Sequence, residues 1–218
     1  CSSDLIGVMK GIIDSAPDIS KIDVTPTGYS TTVLAANGEE TATLVGQGAN
    51  RQYVTIDEIP LDLQHAFVAI EDERFYDHNG IDLHGIGRAF ISGLSKGRFS
   101  EGASTITQQL IKNNVLTSWT SETSFVEKLQ RKIQEQYLAL ELEKQVKDKD
   151  WILENYMNSV NLGANTLGVQ AASKKYFNKD VSELTLSEVS VIAGITQNPS
   201  GYNPITHPDK NAKRREKV

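Results

Sequence analysis

From Pro60 onward the apolar residues recur at helical spacing, and this restricts the main body of the chain to an α-helical architecture. Leu63, Phe67 and Ile70 follow i, i+4, i+7, which predicts one core stripe. Leu129, Ile133, Tyr137 and Leu140 predict a second, on a helix from about residue 125 to 144. Trp151 to Asn158 reads as a third apolar helix. Thr185-Leu186-Ser187-Glu188 opens a fourth, which ends near Gly194, ahead of the turn-rich run Asn198-Pro199-Ser200-Gly201-Tyr202-Asn203-Pro204. Few strand patterns follow residue 60 and no repeat interrupts it. The fold class is therefore mainly α.

The first sixty residues have a different texture. Tyr29 to Leu34 and Thr41 to Val45 are rich in Thr and Val and flank Asn37-Gly38. Asn-Gly between β-prone runs predicts a hairpin, because both residues tolerate positive φ. The sequence thus divides into residues 1–18, a juxtamembrane segment or first helix; residues 19–58, a small β-containing lead-in; and residues 59–218, the helical domain.

Composition narrows the class. Apolar residues make up 39% of 218 and the mean hydropathy is −0.34, which suits a globular chain with one substantial core. No stretch approaches the ~20 apolar residues of a membrane span. Leu5 to Ile13 is short and broken by Lys10; it reads as an amphipathic helix or as the tail of one that began in a membrane. A net charge of −6 argues against a nucleic-acid partner. The run Lys210, Lys213, Arg214, Arg215, Lys217 reads as a solvated helix face without a stop signal, as if cut from something longer. Cys1 is the sole cysteine, so no internal disulfide or cysteine-based metal cluster forms. It is either a lipidated leading residue or a segment boundary.

Two glutamates carry the chemical interest. On a helix, Gln64, Val68, Glu71 and Phe75 share a stripe, which gives Glu71 apolar turn-neighbours. Partial desolvation makes a carboxylate a better proton acceptor near neutral pH, and Asp72 and Glu73 add like-charge repulsion in the same direction. The competing reading is an exposed acidic patch at a helix end. Glu135 has Arg131 at i−4 and Lys132 at i−3. Such pairs on a surface helix contribute only about 0.2–0.5 kcal/mol each. Leu138 and Leu142 continue its face while Leu129, Ile133 and Tyr137 line the other. A helix apolar on two sides is central, and its charges then suit a phosphate or a leaving group.

Between the glutamates, Gly102-Ala103-Ser104-Thr105-Ile106-Thr107-Gln108-Gln109-Leu110-Ile111-Lys112-Asn113 starts a helix, with Ser104 as its N-cap. Free amides there favour an anion. Thr105, Gln109 and Lys112 share a face and present hydroxyl, amide and ammonium, although Ser and Thr at a helix start also serve simply as caps. Gly93 to Ser100 reads as a loop. The histidines show no zinc spacing; His78 ends the first helix or makes a structural hydrogen bond.

Taken together, these blocks resemble the peptidoglycan glycosyltransferase family, the transglycosylase domain of bifunctional class A penicillin-binding proteins and of monofunctional cell-wall polymerases. The match rests on Glu71-Asp72 with Phe75, His78 and Gly80; on Ser104 to Gln109 with Lys112-Asn113; on Arg131-Lys132 with Glu135; on Ile152 to Asn158; and on Gly168 to Phe177 and Leu184 to Pro204. The bifunctional form fits the lead-in better.

That resemblance implies a lysozyme-like helical fold that polymerises lipid II on the extracytoplasmic face of the cytoplasmic membrane, with undecaprenyl pyrophosphate released. By analogy Glu71 is the general base on the acceptor's 4-hydroxyl. Glu135 organises Lys112, Arg131 and Lys132 around the pyrophosphate, or a divalent cation (Mg or Mn). Asp72, Phe75, His78, Ser104, Thr105, Gln108, Gln109 and Asn158 are the implied substrate-binding set. Implied partners are lipid II, the growing lipid-linked glycan, the membrane surface and a fused transpeptidase domain.

The chain departs from the family pattern at Gly102-Ala103, where two glycines are common, and at Asn165 and Leu167, where Gly and Tyr are usual. Asn tolerates a left-handed backbone, so that turn survives. Thr117 to Glu127 lacks the basic residue many members carry, which leaves one phosphate contact missing or supplied by Lys128. Two rivals stand beside the polymerase. A lysozyme-like hydrolase uses its acid on a glycosidic oxygen and has less need of three cations. A non-catalytic cell-wall or lipid-binding module would tolerate loss of Glu71 or Glu135.

Overall fold

The computed structural model describes residues 2–21, 23–44, 51–96, 104–116 and 121–218. Cys1, Val45, Gly102-Ala103 and residues 117–120 of the base-free stretch lie outside the described residues. The helices are α1 (Ser2–Asp14), α2 (Leu61–Glu71), α3 (Leu83–Lys96), α4 (Ile106–Asn114), α5 (Phe125–Val146), α6 (Lys149–Ser159), α7 (Val169–Phe177), α8 (Leu186–Ala193) and α9 (Pro208–Arg215). One antiparallel hairpin, β1 (Thr31–Leu34) with β2 (Glu40–Leu44), is the sheet. The mainly helical class with a β-containing lead-in is what the periodicity predicts.

The chain forms two compact units. The first comprises Cys1–Thr25 and Asp72–Ile152, the second Pro26–Glu71 and Leu153–Val218. In the first, α4 and α1 pack on α5, over a core that includes Phe75, Ile106, Leu110, Ile111, Leu138 and Ala139. In the second, α2 packs on α8, and α8 on α7 and α9. Leu63, Phe67, Leu153, Tyr156, Met157 and Ile192 are buried there, with the Phe67 and Tyr156 rings edge to face at 6.1 Å. Each such side chain removed from water stabilises the fold by about 1.5–3 kcal/mol.

Local chemistry sets the helix ends. Ser124 and Glu127 form a capping box that starts α5, and Lys147 closes it in the left-handed conformation with φ 53°. Thr185 and Glu188 cap α8 in the same way, at the position read from the sequence. Gly168 precedes α7 with φ 85°, and a Cβ there would lie 2.7 Å from the Asn158 carbonyl oxygen, so only glycine fits. Asn165 has φ 60°, as its tolerance of left-handed backbone predicts.

The structure corrects several expectations. Helix α2 stops at Glu71, so Phe75 is not on its stripe but in the turn beyond, fully buried in the first unit. Leu129 is 49% exposed. The buried face of α5 is instead Gln134, Glu135, Leu138, Ala139, Leu142 and Glu143, one position away from the stripe that the apolar residues suggested. The supposed two-sided helix is one-sided, and its buried side is half polar. Of the expected loop from Gly93 to Ser100, Gly93 to Lys96 continue α3, and residues 97–100 lie outside the described residues. In the hairpin Gly38 takes φ 85° while Asn37 does not enter the left-handed region, so the glycine alone makes the turn.

Candidate active site

Glu71 is the last residue of α2, half-buried at the end where a helix carries partial negative charge. Thr196, just beyond α8, donates its hydroxyl to a Glu71 carboxylate oxygen and lies 3.1 Å from the Ala193 carbonyl oxygen. Both residues belong to the second unit, where α2 packs on α8. Helix packing therefore orients this carboxylate. Thr196 lies 125 residues away in sequence and no spacing rule connects the two.

The cationic cluster lies wholly in the first unit. Glu135, 2% exposed, accepts from Arg131 Nη1 and from Lys132 Nζ at 2.9 Å. Lys132 Nζ also donates to Ser104 Oγ at 2.7 Å and Gln108 Oε1 at 3.0 Å. Three acceptors thus surround an ammonium with three donors. Arg131 Nε reaches both carboxylate oxygens of Glu122, at 2.8 and 2.9 Å. Burial pushes the guanidinium down, but the bonds to Glu122 and Glu135 outweigh it and hold Arg131 above its ordinary value. Glu122 was not among the expected site residues. Its stretch drew attention for the base it lacks, whereas the acid it contains is what touches the site.

Ser104, Gln108, Arg131, Lys132 and Glu135 are therefore brought together. The N-cap of α4 is Thr105 and not Ser104: Thr105 Oγ1 accepts from the Gln108 amide at 3.2 Å and donates to the Gly80 carbonyl at 2.8 Å. With its hydroxyl so used and 1% exposed, Thr105 holds backbone. Gln109 and Lys112 are half-buried on α4.

The remaining expected substrate contacts have structural work. Asp72 Oδ2 accepts from the Ile106 amide at 2.9 Å, satisfying a free donor at the start of α4. His78 Nδ1 accepts from the Gly80 amide at 3.2 Å, which places the ring proton on Nε2, 2.9 and 3.0 Å from the Asp72 oxygens. Phe75 is in the core. Asn158, 1% exposed, bonds Val54 through both its side-chain atoms and so fastens residue 54 to α6. Asp72, Phe75, His78, Thr105 and Asn158 thus have internal partners or core positions in addition to the substrate-binding role that the resemblance implies. A motif does not report such burial.

A second buried network completes the first unit. Glu143, on the polar buried side of α5, accepts from Thr107 Oγ1 and from Lys149 Nζ at 2.7 Å. Lys149 also donates to the His78 carbonyl at 2.6 Å and sits 4.5 Å from the centre of the Phe75 ring. The network joins α4, α5 and α6 to the turn carrying His78. It makes good the desolvation of Glu143 through two partners, Thr107 and Lys149.

A divalent ion at Glu135 does not fit these residues. Both its carboxylate oxygens are taken by cations. Among the described residues no three His, Cys, Asp or Glu side chains gather as a ligand set.

The second unit thus carries an oriented carboxylate, and the first a carboxylate-bound pair of cations. Residues 37–218 match the family described as Transglycosylase, and the chain belongs to that family. It is 45% identical over 189 residues to penicillin-binding protein 1F of Bacillus subtilis (strain 168), covering 87% of this chain and 25% of that protein. Against penicillin-binding protein 1A of Escherichia coli (strain K12) the identity is 40% over 219 residues, 100% of this chain and 24% of that protein. The chain spans about a quarter of the length of these relatives. The crystal structure of penicillin-binding protein 1A from Haemophilus influenzae matches with a TM-score of 0.42 and 23% identity, over 89% of this chain and 17% of that one.

Proposed function

We propose that this chain is a peptidoglycan glycosyltransferase that polymerises lipid II into β-1,4-linked glycan strands. The observation that carries the reading is the pair of cations converging on buried Glu135 beside Ser104 and Gln108, an arrangement suited to a pyrophosphate leaving group and superfluous to a hydrolase. Family membership supports the reaction class.

In the proposed reaction Glu71 takes the proton from the acceptor's 4-hydroxyl. A half-buried carboxylate at the negative end of a helix, oriented by Thr196, is suited to accept it. The freed oxygen attacks the anomeric carbon of the lipid-linked chain, the bond to the pyrophosphate oxygen breaks, and the α-linked donor becomes a β-glycoside. Arg131 and Lys132 stabilise the charge that accumulates on the departing undecaprenyl pyrophosphate, with Lys112 as a third cation. Glu135 fixes the two cations and does not touch the reacting atoms. The reading places the chain at the extracytoplasmic face of the cytoplasmic membrane, with a transpeptidase domain in the same polypeptide.

The test is glycan synthesis from lipid II in detergent. Wild type yields long strands, and Glu71→Gln, which keeps the shape and loses the base, reduces the rate at least about 10²-fold, the usual contribution of a positioned acid–base group. Shortening of preformed peptidoglycan by the wild type would establish the hydrolase instead. Saturable lipid II binding without turnover would establish the binding module.

A further inference from the structure

The cation cluster is closed upon itself. Arg131 and Lys132 bring two positive charges, Glu122 and Glu135 two negative ones. The three Lys132 donors have three acceptors, and two of the three Arg131 nitrogens bind carboxylates. A pyrophosphate arriving here meets two cations whose charge two carboxylates already offset, and at the Nε edge of Arg131 it competes with one of them.

The two acids are not equally able to leave. Glu135 is 2% exposed, sits mid-helix and holds both cations, so its removal would strand two charges. Glu122 is more exposed, at 12% of its side chain, precedes the Ser124 cap of α5 outside any helix, and among the described residues is ion-paired with Arg131. It also lines, with Glu127 and Arg131, a cavity of about 250 Å³ whose walls carry two carboxylates against one guanidinium. A carboxylate gripping the Nε edge of an arginine offers the same planar oxygen pair that a phosphate offers.

We propose that Glu122 is a displaceable counter-ion, an internal stand-in for phosphate that occupies Arg131 until the pyrophosphate group takes its place, and that it thereby sets the affinity of the leaving-group site. The proposal rests on the reading of Arg131 and Lys132 as pyrophosphate-binding residues. Glu122 is a positioning residue acting through Arg131, and its charge opposes the ligand.

Calorimetric titration with inorganic pyrophosphate at fixed low salt tests it on wild type and Glu122→Gln. Removing one like charge at about 4 Å should tighten binding roughly fivefold at a solvent-like dielectric. In wild type labelled with ¹⁵N, the Arg131 Nε–H resonance should move as pyrophosphate saturates, because its acceptor changes. That second measurement needs no variant and stands if Glu122→Gln fails to fold. Equal or weaker binding by a folded Glu122→Gln, or saturation without movement of the Arg131 resonance, overturns the proposal and leaves the leaving-group reading intact. If neither protein binds pyrophosphate, that reading falls and the role of Glu122 with it.

Discussion

At the scale of single residues, the chain uses acids in three ways that composition does not distinguish. Glu71 is oriented by one hydroxyl, Glu135 is buried under two cations, and Asp72 caps a helix while holding His78. In the proposed reaction Glu71 takes the proton, and the Thr196 hydroxyl helps to aim it. Thr196→Val keeps the shape and removes the hydroxyl. A hydrogen bond to a charged group is worth about 1.5–3 kcal/mol, so losing it should lower kcat for glycan synthesis about 10–100-fold if the barrier takes the whole effect. Thr196→Ser should retain most of the activity. An unchanged kcat in Thr196→Val, with the fold intact by circular dichroism, would show that Thr196 only packs. Thr196 was invisible in the sequence because its partner is far along the chain and both residues are common types.

At the scale of elements, capping was legible and burial only in part. Thr185-Leu186-Ser187-Glu188 spelled out the start of α8, since a capping box is a local code. Helix α5 is also legible in extent, and its Glu135, Leu138, Leu142 side is buried as the spacing predicts. The opposite Leu129, Ile133, Tyr137 stripe is not the core face, and the interior adds Gln134 and Glu143. Buried polar groups contradict binary patterning wherever a network satisfies them. The cap of α8 carries a pH signature. Bonds from Lys179, then from the Thr185 amide, hold the Glu188 carboxyl down at about 2, against an ordinary value of 4.5. A depressed folded value means the stabilisation is present above the unfolded value and is lost as pH falls toward 2. Hydrogen exchange at α8 amides should therefore be faster in Glu188→Gln than in wild type at pH 6, after correction for intrinsic rates. The gap should narrow below pH 4.5 and close near pH 2. A gap that persists at pH 2 would assign the effect to packing instead of charge.

At the scale of the whole molecule, the family and the helical class were legible because several ordered blocks coincide, whereas the partition into two compact units interleaves distant segments and has no sequence signal. Charge acts at this scale too. The net charge of −6 opposes any anionic surface, yet the proposed reaction takes place at a membrane. Among the described residues no helix is long and apolar enough to cross one. For this chain by itself, exposed apolar side chains such as Ile6, Val8 and Met9 on α1 and Phe125 and Val126 on α5 offer surface for such contact. Their attraction is insensitive to salt, while the repulsion reaches only about one Debye length, ~30 Å at 0.01 M and ~3 Å at 1 M. The positive run of α9 is already counted in that net charge; its Arg215 bonds Ser187 and Ser190, and its Arg214 lies against the Tyr202 ring. In vesicle co-sedimentation at low salt, the chain should therefore bind zwitterionic membranes more strongly than anionic ones, and the difference should vanish toward 1 M. Stronger binding to anionic vesicles at low salt would mean that a local basic face, and not the net charge, governs the approach to the membrane.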